Sequence, residues 1–238
     1  MFNANLPEGG YRLTFATDIT LAHADEDGLR HGLIALAQMA DAARIDARFS
    51  FPKSGHIADH PRHAWRGLML DVVRHFFPVS TNLRMLDIMA WLRMNRFHWH
   101  LTDDEGWRMP SQAFPALDTV EASRGPGQPM PPQYCDGPNG STGFYTEADI
   151  AQVINHTACL GIAVMSEVEM PGHAKSLLAA VSGLLDTYES NDAYRSIQGH
   201  TNNALNPGLS RTYEVTTTLL DEAAEGGGVM PDTALLFA

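Results

Sequence analysis

Apolar and polar residues alternate along GYRLTFATDITLA (residues 10–22) on either side of Thr17-Asp18, which predicts a β-hairpin. The period then changes. Leu29, Leu33, Leu36 and Met39 recur at helical spacing within residues 24–42. The polar stretch PKSGHIADHPRH, Pro52 to His63, reads as a linker. Beyond Trp65 a different rhythm sets in. GLMLDV (67–72) suits a short buried strand. Ser80 or Thr81 is placed to cap a helix reaching to about Met94, with Leu83, Leu86, Met89 and Leu92 on adjacent faces and both Met89 and Trp91 in the core. RFHWHLT (96–102) predicts an aromatic-rich strand, followed by a long Pro- and Gly-containing segment from Asp103 to Gly143. Thr146 with Asp149 forms a capping-box signal for a second helix, which Gly161 ends. IAVMSEV (162–168) is the next strand. Helices follow over about Gly172–Asp186 and about Ser210–Glu225, and TALLF (233–237) begins one more strand.

Strands that alternate with helices in this way lie parallel, with the helices packed outside. The first sixty residues read as a small α+β unit, or the tail of one. After the linker come three strand–helix units and the start of a fourth. A complete (β/α)8 barrel has eight units in about 250 residues. The pattern therefore predicts an α/β fold, either an open sheet or the first three to four units of a barrel.

Composition narrows the partners more than the fold. The 238 residues carry a formal net charge of −12, which argues against nucleic acid and against an anionic membrane face. No run approaches the roughly 18 apolar residues of a membrane span. The start, MFNANLPEGGYRL, has neither a basic n-region nor an apolar h-region, so no signal peptide is predicted. That leaves a cytoplasmic protein, or a chain whose natural start lies upstream. The two cysteines, Cys135 and Cys159, are not expected to pair. Cys159 falls in a helical pattern, where a buried free thiol is the usual state.

In parallel α/β folds the chemistry gathers at the carboxyl ends of the strands. Here the first strand is followed by Asp71, Arg74 and His75. The second carries His98 and His100 and runs into Asp103, Asp104 and Trp107. The third ends in Glu167 and Glu169, then Pro171, Gly172 and His173. Each has a plain alternative. His98 and His100 share one face of a strand, where His-x-His either binds a metal or packs and hydrogen-bonds. Asp103-Asp104 either caps a turn or serves a site. Glu167 and Glu169 on a buried strand are costly unless paired or hydrogen-bonded, which favours function.

RGLMLDVVRHFFPV (66–79), NRFHWHLTDDEGWR (95–108), GFYT (143–146) and EVEMPGH (167–173) resemble, in order and approximate spacing, signature segments of the β-N-acetylhexosaminidases of glycoside hydrolase family 20. Residues 11–39 also resemble the last part of the small α+β domain that precedes the barrel in that family. The resemblance implies two domains: residues 1–60 as the end of the small domain, and residues 65–238 as the N-terminal part of the (β/α)8 catalytic domain. It implies that Arg74 grips hydroxyls of the terminal sugar, that Asp103 orients Arg74, and that His173 supports the catalytic acid. Asp71, His100, Asp104, Glu167 and Trp107 would support the site from beneath. Glu169 stands where the family usually has Asp, so a relay through His173 would be displaced.

The chemistry implied is retaining and substrate-assisted: the 2-acetamido oxygen attacks its own anomeric carbon, an Asp orients it, and the adjacent Glu acts as acid and then base. No metal or cofactor is implied. The partners implied are glycans ending in N-acetylglucosamine or N-acetylgalactosamine. The Asp-Glu pair belongs to a His-x-Gly-Gly-Asp-Glu segment, which does not occur in the 238 residues. The expectation is a fragment, inactive by itself. Two other functions stay open: a vestigial sugar-binding protein, and a metal-dependent hydrolase built on His98 and His100.

Overall fold

The computed structural model describes residues 1–120, 122–128, 140–185, 203–225 and 234–236. The chain divides into two compact units: Met1–Arg66 with Asp87–Asn95, and Gly67–Leu86 with Arg96–Ala238.

The first unit is built on the hairpin. β1 (Tyr11–Phe15) and β2 (Ile19–His23) pair antiparallel, with Leu13 opposite Leu21. α1 (Glu26–Ile45) is capped by Asp25, whose carboxylate accepts the Gly28 N–H at 2.7 Å. The stretch expected as a linker contains β3 (Gly55–Asp59), which pairs with the other edge of β1. Its residues are exposed throughout, so it carries no apolar alternation by which a strand is recognised. Tyr11, Leu13, Phe15 and Ala35 form the core of this unit, with Leu21, Leu36, Met39 and Phe51 packed around them.

The leucine pattern marks the buried face of α1 only in part: Leu36 and Met39 pack on the core. Leu29 and Leu33 are exposed, and the buried positions are Gly28, His31, Gly32 and Ala35. Glycines cause this. A Cβ on Gly32 would lie 2.4 Å from the Leu21 side chain, and one on Gly28 would lie 2.2 Å from the Gly10 carbonyl oxygen. Two glycines four residues apart let the helix lie close to the Gly10 backbone and the Leu21 side chain, at about 1 kcal/mol each in helix propensity.

The second unit is a four-stranded parallel sheet of β4 (Gly67–Asp71), β5 (Arg96–His100), β10 (Ala163–Glu167) and β11 (Ala234–Leu236). The strands lie side by side in chain order. A sheet wound in one direction without reversal is the arrangement from which a barrel is built, whereas doubly wound sheets reverse. α2 (Val79–Trp91) follows β4, and α4 (Glu147–Leu160) precedes β10. α4 has its capping box of Thr146 and Asp149, and it ends at left-handed Gly161, φ 69°.

Several expectations need correction. Helix α2 starts at Val79, and Pro78 O accepts the N–H groups of Thr81 and Asn82, so Ser80 and Thr81 lie inside the helix. Met89 is buried, but Trp91 is 41% exposed, because the inward faces of the helix fall on Asn82, Leu86 and Met89. Cys159 is exposed rather than buried. The helix expected over 172–186 is only α5 (Lys175–Ala180); the backbone turns extended at Val181, φ −122° and ψ 113°, and Asp186 lies outside the described residues. Cys135 lies outside them too.

The described residues of segment 103–143 carry more regular structure than expected. It holds β6 (Thr102–Asp103) paired with β7 (Gly106–Trp107), then α3 (Ala116–Thr119), and β8 (Ser123–Arg124) paired with β9 (Ser141–Thr142). Helix α6 (Ser210–Glu225) matches the expected span. No helix among the described residues is long and apolar enough to cross a membrane.

Candidate active site

The site lies at the carboxyl ends of β4, β5 and β10. Asp71 ends β4, and its Oδ1 accepts the backbone N–H groups of Val73 and Arg74 at 3.0 Å each. This tight turn points Arg74 across the sheet. β5 ends at His100 and the chain turns at once through β6 and β7. Asp103, Asp104 and Glu105 sit in that short hairpin, all 2% exposed or less.

Arg74 is the hub. Its Nη1 is 3.2 Å from Asp71, its Nη2 is 2.5 Å from Asp103, and its Nε is 2.9 Å from Glu105. Burial disfavours the guanidinium charge, but Asp103, Asp71 and Glu105 outweigh it and hold the pKa above the ordinary arginine value. Asp103 is held at more than one point. Its carboxylate is 3.1 Å from His100 Nε2 and 3.3 Å from His173 Nδ1. Burial would raise its pKa; the His100 hydrogen bond and the Arg74 charge win, and it is lowered. For His100, burial works against the cation, yet the hydrogen bond to Asp103 and the charge of Glu167 raise its pKa.

Beneath this lies a buried acid pair. Glu167 Oε2 is 2.6 Å from His98 Nε2 and 3.4 Å from His100 Nδ1. His98 and His100 therefore share one carboxylate from one face of β5, while Trp99, on the other face, packs on Phe97 and Tyr145. Glu169 is 3.7 Å from His100 Nε2. Burial, then the charges of Glu167 and Asp103, push its pKa up to about 8. Near neutral pH it is thus a neutral acid, which is how the cost of two neighbouring buried acids, one ending β10 and one just past it, is avoided.

The remaining site positions hold the frame. Asp104 accepts from the backbone N–H of Lys175 at 3.1 Å and from the Asn203 side chain at 3.0 Å. It is also 3.7 Å from His173. Trp107 is buried in β7 opposite Thr102. His173 adopts φ 49°, the left-handed region that a non-glycine side chain rarely enters. His75, by contrast, is exposed and stacks edge-on with Phe77, 4.8 Å between centroids.

Sequence reasoning missed Glu105 and two buried arginines. Arg108 donates to the carbonyls of Val72, Val73, Ala122 and Gly143. Arg124 donates to those of Arg74, Glu105 and Val73. Together they fasten the turn that carries Arg74. A signal existed: four charged residues, Asp103, Asp104, Glu105 and Arg108, directly follow a buried strand.

Among the described residues, two groups have ligand atoms within 4.8 Å of one another: His100, Glu167 and Glu169, and Asp103, Asp104 and His173. That spacing suits a cation. It is also the spacing of the hydrogen bonds and ion pairs described above, which already employ these atoms.

Comparison with known proteins agrees with the geometry. Residues 63–229 match the model of the glycosyl hydrolase family 20 catalytic domain. The β-hexosaminidase of Vibrio furnissii is 36% identical over 223 residues, 93% of this chain and 36% of that protein. The β-hexosaminidase subunit alpha of Rattus norvegicus is 35% identical over 223 residues, 93% of this chain and 38% of that one. The exo β-N-acetylglucosaminidase of Vibrio harveyi, solved with N-acetylglucosamine, superposes with a TM-score of 0.81 at 34% identity, covering 94% of this chain and 35% of that one. The chain belongs to glycosyl hydrolase family 20, and its parallel sheet is part of that family's barrel. It spans little more than a third of the length of these relatives.

Proposed function

We propose that this chain forms the sugar-gripping part of a β-N-acetylhexosaminidase active site, and that the protein it represents removes terminal N-acetylhexosamine from the non-reducing end of glycans. The observation that carries this is the Arg74 cluster at the strand ends, in a chain of this family. A guanidinium offers coplanar donors suited to two neighbouring hydroxyl oxygens. Asp103 holds the fork, and His100 and His173 hold Asp103. His173 is thereby fixed at the rim, where it can support a catalytic acid. Residues 1–60 and 65–238 serve as the end of a small domain and the start of the catalytic barrel.

Hydrolysis needs more than this grip. The acetamido group requires a carboxylate to align it as it attacks the anomeric carbon, and the leaving oxygen requires an acid. General acid–base catalysis contributes about 10²–10⁴-fold. The 238 residues hold no His-x-Gly-Gly-Asp-Glu segment. The acids nearest Arg74 are already engaged with it. This polypeptide alone is therefore expected to bind the sugar and to turn it over at background. The test is hydrolysis of a chromogenic N-acetylglucosaminide by the wild type beside Arg74→Ala. Turnover that vanishes in the variant would show that an acid within residues 1–238 does the chemistry.

A further inference from the structure

We propose that Glu105 is a positioning residue: it sets the plane of the Arg74 guanidinium, and through it the two-point recognition of neighbouring sugar hydroxyls. The proposal rests on the sugar-gripping role of Arg74. Three carboxylates meet this one guanidinium, and each takes a different nitrogen: Asp71 on Nη1, Asp103 on Nη2 and Glu105 on Nε. A guanidinium has five N–H donors, one on Nε and two on each Nη. The three carboxylates use one donor per nitrogen. One donor then remains on Nη1 and one on Nη2, both in the guanidinium plane and available to sugar hydroxyl oxygens.

Glu105 differs from the other two acids in what it controls. Asp71 and Asp103 act on the two terminal nitrogens. A contact at Nε, 2.9 Å long, acts at the near end and stops the plane from rocking about the Cδ–Nε bond. Its side chain is fully buried, whereas that of Asp71 is 30% exposed. A carboxylate this deep is costly to keep for stability alone. Its position is also fixed independently. The buried Arg124 guanidinium donates to the main-chain carbonyls of both Arg74 and Glu105, so the two partners of the ion pair hang from one cation.

The test is a ligand-observed NMR titration of the 238-residue protein with N-acetylglucosamine and its 3-deoxy and 4-deoxy analogues. In the wild type, a deoxy sugar lacking a hydroxyl held by the fork binds about tenfold more weakly, the size of a hydrogen bond to a charged donor. Glu105→Met keeps the volume and removes the acceptor, and should shrink this penalty to about twofold. Glu105→Gln keeps an oxygen for the Nε–H and should retain the penalty. Equal weakening for all three sugars in Glu105→Met, with the penalty intact, would mean a merely structural role and would overturn the proposal. A second readout needs no variant: the Arg74 Nε proton should exchange slowly with solvent, and exchange at the rate of free arginine would also overturn it. Failure of the wild type to bind N-acetylglucosamine in an Arg74-dependent way would remove the sugar-gripping role and this proposal together. An unchanged penalty would remove Glu105's part alone.

Discussion

Replacing Glu169 by Gln should stabilise the protein at alkaline pH and leave it unchanged at acidic pH. Glu169 is 4% exposed, and its pKa is pushed from the ordinary 4.5 up to about 8 by burial and by the charges of Glu167 and Asp103. Between those values the folded state holds a proton that the unfolded chain has released. Folding takes up that proton, so the fold weakens as pH rises through the window. At about 1.4 kcal/mol per pH unit, the window from 5 to 8 sets a ceiling of about 3–4 kcal/mol. Local relaxation raises the effective dielectric, which brings the expected effect to about 2 kcal/mol. Gln reproduces the neutral acid in shape and cannot ionise. Urea unfolding of wild type and Glu169→Gln, followed by tryptophan fluorescence, should agree at pH 5 to about 0.5 kcal/mol and differ by about 2 kcal/mol at pH 8, the variant being the more stable. Because His100 and Asp103 are present in both proteins, most of their own contribution cancels in the difference. Stabilities that move in parallel from pH 5 to pH 8 would refute the neutral-acid assignment.

Gly143→Ala should cost about 1–3 kcal/mol in the same urea assay. Its backbone has φ 157°, and an added Cβ would stand 2.3 Å from the Phe76 ring. Tyr145→Phe should cost about 1–3 kcal/mol, because the hydroxyl donates to Phe77 O at 2.5 Å and accepts from Asn82 Nδ2 at 3.0 Å. Thermal unfolding of Thr146→Ala should show a loss of about 1 kcal/mol, the value of an N-cap.

The parts of the fold legible in sequence were those written in local chemistry. Thr146, Asp149 and Gly161 mark both ends of α4, and the alternation of β1 is clear because one face is buried. β3 was illegible because both faces are wet and its pairing is settled by β1, far along the chain. The close approach of α1 to Gly10 and Leu21 was not legible, because Gly28 and Gly32 make it and a glycine contact leaves no hydrophobic signature. Within the site, residues at strand ends were visible as acids, His and Arg after apolar runs. Glu105 was not, because only the fold brings it to the Nε of an arginine 31 residues earlier.

The most direct measurement is a titration of the wild-type chain and Arg74→Ala with N-acetylglucosamine, followed by protein NMR. Saturable binding should shift the Arg74 Nε–H signal, and affinity should fall at least about tenfold in Arg74→Ala, as expected for hydrogen bonds to a charged donor. Equal affinity in the two proteins, or binding that leaves the Arg74 signal unmoved, would contradict the placement of the sugar at this cluster.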